Sequence, residues 1–215
     1  MIIVVDFDGV LLDDKRFKEE KLRLFRKLGV STRLYREAYE AVKKKKGGAY
    51  DFHTHLKEIK KRYVAFSISA AERVTDRFIR ISHRFVYRDA VAFLAFWRKR
   101  NVPLILLSTG PAFQKEKVRR SGLARFFKRI IVIRNAEKHG SLGRVMRQFP
   151  KRDVVFIDDK KSVVDGVKTY LPTVFTIQMK RRASQERSKR GDAITRNLAH
   201  ARRIILSWQK KNQKS

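Results

Sequence analysis

A chain of 215 residues with 43% hydrophobic types has room for one core domain and a smaller inserted one, and is too long for a single small module. It contains no cysteine, which excludes a disulfide framework, a thiolate zinc site and a cysteine nucleophile, and fits a reducing compartment. Its 53 Lys+Arg against 21 Asp+Glu give a formal charge of +32 at pH 7, enough to attract polyanions.

The positive excess is dispersed. Residues 179–215 carry twelve basic and two acidic side chains, and the remainder of the chain is strongly basic as well. Such a spread argues less for a nucleic-acid site than a single basic stripe does.

In chain order, the first apolar run, residues 1–5, meets Asp6 at once, so the expectation is neither a leader nor a membrane span. No later apolar run approaches membrane length, and a soluble cytoplasmic protein is expected. Residues 14–86 hold no comparable strand. Their periodicity predicts amphipathic helices over 18–28, 34–42, 52–66 and 70–85, separated by Gly29, Gly47-Gly48 and Ser67 to Ser69.

Beyond them Asp89 is placed to cap a helix over 90–100, and Pro111 stands where a first-turn proline is tolerated before a helix over 112–120. Four further apolar runs, 104–107, 130–133, 154–157 and 174–177, are short, aliphatic or β-branched, and lack alternation. Such runs suit strands buried on both faces, and the helices between them suit crossovers. The expected fold is therefore α/β, a Rossmann-like parallel sheet with crossover helices and an inserted all-helical unit. The core is assigned to 1–13 and 87–178, the insert to 14–86, and a basic linker and helix to 179–215. Residues 181–191 read as a flexible polar linker before a helix over 193–209.

Candidate chemistry sits where these strands end. Asp6 and Asp8 are two apart after the first run, so in extended backbone they share a side while Phe7 faces away. Ligand sites of open α/β sheets lie beyond the carboxyl ends of the strands. A turn or helix cap is the plainer alternative. Asp158 and Asp159 end the run at 154–157, and neighbouring acids there repel unless a cation or donors compensate. Hard oxygen ligands without cysteine or histidine favour magnesium. Ser108 and Thr109 offer hydroxyls and N–H groups at a helix start, a favourable place for phosphate. Lys138 could neutralise phosphoryl oxygens and steady a carboxylate nucleophile. His53 and His55 flank one residue but lack a third ligand, and Asp165 lies too far along its helix to join the pair.

These motifs in this order resemble the haloacid dehalogenase superfamily. DFDGV matches its first motif, LILLST the second, Lys138 the third and FIDD the fourth, across the chain to about residue 178. The insert resembles the family's cap. The resemblance implies Asp6 as nucleophile and Asp8 as general acid and base. It implies Ser108 (with Thr109) and Lys138 on phosphate, and a magnesium ion on Asp6, Asp8, Asp158 and Asp159. It also implies that dehalogenating members usually lack the acid at position 8.

The expected activity is a magnesium-dependent phosphohydrolase acting on a small phosphorylated metabolite or nucleotide. The alternatives are a polynucleotide end phosphatase and a nucleic-acid-binding protein on an idle scaffold, both prompted by charge; a transferase or mutase outcome shares the same intermediate. The lysines 43–46, Lys180 to Arg182 and Arg187 to Arg190 would support non-specific nucleic-acid binding, with Trp208 and Tyr50 either stacking on bases or packing internally. No membrane partner is expected.

Overall fold

The five apolar runs form adjacent strands of one sheet in a computed structural model that describes residues 1–45, 50–134 and 137–212. The expected Gly47-Gly48 break and Lys46 lie outside the described residues. Strands β1 (Ile2–Val5), β2 (Leu104–Thr109), β3 (Arg129–Ile133), β4 (Val154–Asp158), β5 (Phe175–Met179) and β6 (Ala193–Thr195) pair in parallel in the order β3-β2-β1-β4-β5-β6. β1 lies between β2 and β4, with Val5 opposite both Leu106 and Ile157. The strand order reverses there, and such a switch point opens a crevice beyond the strand ends.

Alternating side chains of the central strands feed two cores. Ile3, Val5, Leu104, Leu106, Val155 and Ile157 face one side, and Ile2, Val4, Ile105, Leu107, Val154 and Phe156 the other. The first side is covered by α5 (Arg88–Lys99), α6 (Gln114–Arg120) and α9 (Leu198–Asn212), through residues such as Trp97, Val118 and Ile205. The second is covered by α7 (Lys138–Gln148) and α8 (Lys161–Tyr170), through Leu142, Val145 and Val167. Each such fully buried aliphatic or aromatic side chain contributes about 1.5–3 kcal/mol.

Four helices leave the sheet between β1 and β2: α1 (Asp14–Lys27), α2 (Thr32–Lys45), α3 (Phe52–Arg62) and α4 (Ile68–Arg80). Asp13, Asp51 and Ser67 cap α1, α3 and α4 by accepting from the N–H groups of Arg16, Thr54 and Ala70, which sets their starts. The insert has its own core of Phe25, Val30, Ala38, Leu56, Ile59, Phe66 and Ala71. It is rooted in the main core by Phe17 and Phe78, whose rings meet at 4.7 Å and both touch Phe85. Phe85 belongs to a 3-10 turn over Ser82–Phe85 that ends the stretch expected as one helix.

Several expectations need correction. Residues 181–191 are not a flexible linker; they form an anchored strap across the carboxyl ends of β4 and β5. Arg181 makes two 2.9 Å bonds to the Asp89 carboxylate, a third of 2.7 Å to the Val10 carbonyl, and lies over the Tyr87 ring. Asp89 therefore does not cap its own helix, whose N-cap Tyr87 makes no side-chain bond; it also accepts from the Leu198 N–H at 2.8 Å. Asp165 anchors the same strap: its carboxylate accepts from Ser188 Oγ and the N–H groups of Lys189 and Arg190.

The helix expected from residue 193 starts at Leu198, where Asn197 accepts from the His200 N–H at 2.8 Å. Ala193 to Thr195 instead pair with β5 as the sheet's edge, so the segment after 178 belongs to the core body. The helix after Pro111 likewise begins later, at Gln114.

Candidate active site

Three carboxylates and one lysine meet at the switch point. Asp6 follows β1 directly, its N–H bonded to the Ile157 carbonyl at 2.9 Å, and the residue is 3% exposed. Lys138, the first residue of α7 and itself buried, reaches Asp6 Oδ1 at 2.8 Å and Asp158 Oδ2 at 2.6 Å. Asp158 Oδ1 accepts from the Lys160 N–H, so both oxygens of that carboxylate are engaged. Among the described residues, Asp159 receives a 3.3 Å bond from Gln185 of the strap on Oδ2, and its buried Oδ1 has no hydrogen-bond partner.

Gly9 lets this closeness happen. Its φ of +78° is a left-handed value, and a Cβ there would lie 2.4 Å from Asp159 Oδ2. Any other residue would displace the acid or strain the turn.

Charge crowding shows in the acidities. Burial pushes the Asp6 carboxyl up to about 6, with Lys138 pulling down and Asp158 adding to the rise. Burial, then the charges of Asp158 and Asp6, push Asp159 up to about 8. Burial would raise Asp8 too, but Lys117 at 2.5 Å and Gln114 at 2.8 Å bring it below the usual carboxylate value. Gln114 also donates to the buried Ser108 Oγ at 3.1 Å, linking the ends of β1 and β2.

Asp6, Asp158 and Asp159 present oxygens within 4.8 Å of one another. One lysine cannot neutralise three acids, and the Asp159 oxygen that has no hydrogen-bond partner among the described residues is a hard donor. The residues present therefore fit a divalent ion held by oxygen. Asp8 stands apart from this group, its carboxylate being committed to Lys117 and Gln114.

A cavity of about 320 Å³ opens beside Asp8 and runs between the sheet and the insert. Its walls include Gln114 and Lys117 from the core side, and Lys18, Lys21, Tyr35, Arg36, Tyr39 and Tyr50 from the insert side. Lys117, Gln114 and Lys21 were not anticipated from the sequence. The available signal was periodicity: Phe17, Lys21 and Phe25 share one helix face at four-residue spacing, so a lysine sits in an apolar stripe.

Other candidates take structural places. His55 is buried among tyrosines, bonded to Tyr50 Oη at 2.9 Å and to the Tyr35 carbonyl at 3.0 Å; burial lowers it to about 4. His53 pairs with Glu72. Trp208 stacks on Phe175 at 4.6 Å. Thr109, by contrast, stays at the site, as the last residue of β2 next to Ser108.

Fold and site together define an α/β enzyme scaffold with a carboxylate cluster at the switch point. A family profile for haloacid dehalogenase-like hydrolases matches residues 1–165, and the chain belongs to that family. A search of curated protein sequences gives no match. Among solved structures, a protein assigned to the haloacid dehalogenase-like hydrolases from Burkholderia xenovorans LB400 superposes with a TM-score of 0.77 at 21% identity, covering 97% of each chain. The HAD-hydrolase YfnB from Bacillus subtilis, bound to magnesium, gives 0.70 at 18%, covering 95% of this chain and 97% of that one. A HAD phosphatase from Thermococcus onnurineus gives 0.66 at 22%, with the same coverage. Dehalogenases match as well. At these identities the likeness carries the fold and leaves the reaction open.

Proposed function

We propose that the chain is a magnesium-dependent phosphohydrolase that works through an aspartyl phosphate on Asp6 and acts on a small phosphorylated metabolite. The observation that carries the reading is Asp8: a carboxylate on the cavity wall, provided with its own lysine and amide. Carbon–halogen cleavage releases a halide that needs no proton, so an acid maintained there suits an alkoxide leaving group instead.

Asp6 attacks phosphorus and the bond to the leaving oxygen breaks, leaving the phosphoryl group on the carboxylate. Asp8, protonated when the phosphoryl anion binds beside it, gives its proton to that oxygen. It then takes a proton from the water that attacks phosphorus, as the bond to Asp6 breaks and inorganic phosphate leaves. Lys117 and Gln114 aim Asp8; Lys138 holds Asp6 while meeting phosphoryl charge, and Ser108 and Thr109 offer hydrogen bonds at the end of β2. A magnesium ion held by Asp6, Asp159 and Asp158, with the Asp8 carbonyl, would supply charge to offset repulsion between nucleophile and phosphate. The helical insert, as a cap, excludes water from the cavity.

The test is a screen of phosphorylated metabolites, nucleotides, end-phosphorylated oligonucleotides and 2-haloacids with magnesium and with chelator. Phosphate release that needs magnesium is expected. Halide release without it would overturn the reading, and a strong preference for oligonucleotide ends would replace the substrate class.

A further inference from the structure

Lys21 lies midway along α1 and is 5% exposed. It lines the cavity, with its ammonium 4.3 Å from the ring centre of Phe52, 5.1 Å from Phe113, 5.8 Å from Phe25 and 5.9 Å from Tyr50. Among the described residues no carboxylate pairs with it. The neighbouring cations Lys18 and Lys117 are engaged by Asp14 at 2.7 Å and Asp8 at 2.5 Å. Taking an isolated ammonium out of water is costly even after relaxation. Ring faces offer it only a quadrupole and no formal opposite charge, which leaves the ammonium short of a counter-charge.

We propose that a substrate anion supplies it: the leaving portion of the phosphoester carries a second anionic group, a carboxylate or a further phosphate, and Lys21 selects for it. The inference rests on the phosphohydrolase reading. Exposed Arg36 stands at the same cavity and has no ion pair among the described residues. Burial, then the charges of Lys117 and Lys18, bring Lys21 down to about 7, and an anion bound beside it would hold the ammonium in its charged form. The cavity volume lies at the low end of ligand sites, which run from about 300 to 1,000 Å³. That favours a compact ester bearing two anionic groups over a nucleotide.

The experiment compares three esters of similar length: glycerol phosphate, phosphoglycerate and a propanediol bisphosphate. Full-length wild type and Lys21→Met are assayed with magnesium, and the same ligands are titrated calorimetrically into Asp6→Asn protein with and without Lys21→Met. Wild type should favour one or both anionic esters over glycerol phosphate by about tenfold or more in kcat/KM, and Lys21→Met should close that ratio through KM. The two anionic arms separate carboxylate from phosphate. Thermal stability should not fall in Lys21→Met, because an uncompensated charge leaves an apolar cage. An unchanged ratio in Lys21→Met, equal loss for all three esters, or a wild-type preference for glycerol phosphate would overturn the proposal. If no ester is hydrolysed but the calorimetric preference depends on Lys21, the phosphohydrolase reading fails and the anion site stands.

Discussion

The two walls of the cavity carry opposite electrostatic problems. At the sheet, three acids share one lysine, and two of them are pushed above the ordinary carboxylate pKa. In the insert, Lys21 sits among aromatic rings and pairs with no carboxylate among the described residues. Neither wall is balanced by its own residues. The metal and the anionic substrate group proposed above would each correct one wall. Binding energy then comes from completing charge sets that folding has already desolvated.

The largest effect expected from breaking the sheet wall is that of Asp6→Asn. Phosphate release should fall by about three orders of magnitude or more, because an amide is no nucleophile, while the fold survives, since the site already disfavours a charge there. Near wild-type turnover in the purified variant would end the aspartyl-phosphate mechanism.

Next comes the contrast between two acids close in sequence. Asp159→Ala should weaken magnesium at least tenfold by calorimetry, whereas Asp165→Ala should leave magnesium nearly unchanged and lower the melting temperature, as three strap donors lose their acceptor. An Asp165 effect on magnesium larger than the Asp159 one would reverse the assignment.

Acidity sharpens the comparison further. Asp6 and Asp159 are raised from ordinary carboxylate values to about 6 and about 8. Without metal, the folded state therefore holds extra protons, and their stabilising contribution, full below about pH 4, is lost as pH rises through those values. A divalent cation displaces the protons. The melting-temperature gain from magnesium should accordingly grow between pH 5.5 and pH 8.5; a flat gain would show that these acids do not hold the ion.

The smallest effect concerns the remaining charge. With +32 overall, the protein should bind oligonucleotides weakly at low salt, without sequence preference, and lose most of that binding near physiological ionic strength. Trp208 is stacked on Phe175 and Tyr50 is bonded to His55, so neither is a ready base platform. Tight, end-selective binding in a salt titration would favour a polynucleotide substrate.

Legibility in the sequence followed the range of the interactions. The strands were visible because runs buried on both faces are continuously apolar, and Asp6, Asp8, Asp158 and Asp159 because they sit at fixed places on those runs. Lys138 was harder, one lysine among many, and only its burial between Asp6 and Asp158 distinguishes it. Lys117 and Lys21 were hidden by the same abundance. The strap was misread because its polar composition suits a linker, while its order comes from Asp89 and Asp165, far away in sequence. Ala193 to Thr195 are too short to announce a strand, and pair only because β5 offers an open side.

That last pairing bears on where the chain can be cut. Removing residues 181–215 looks like trimming a basic tail, yet it would strip β6 from β5 and bare a row of unpaired N–H and C=O groups. An uncovered, mostly buried strand of sequence FTIQM is a template for intermolecular pairing. A shortened protein would therefore precipitate or self-associate before it reported anything about nucleic acid, and tail charges are better probed by substituting exposed lysines one at a time.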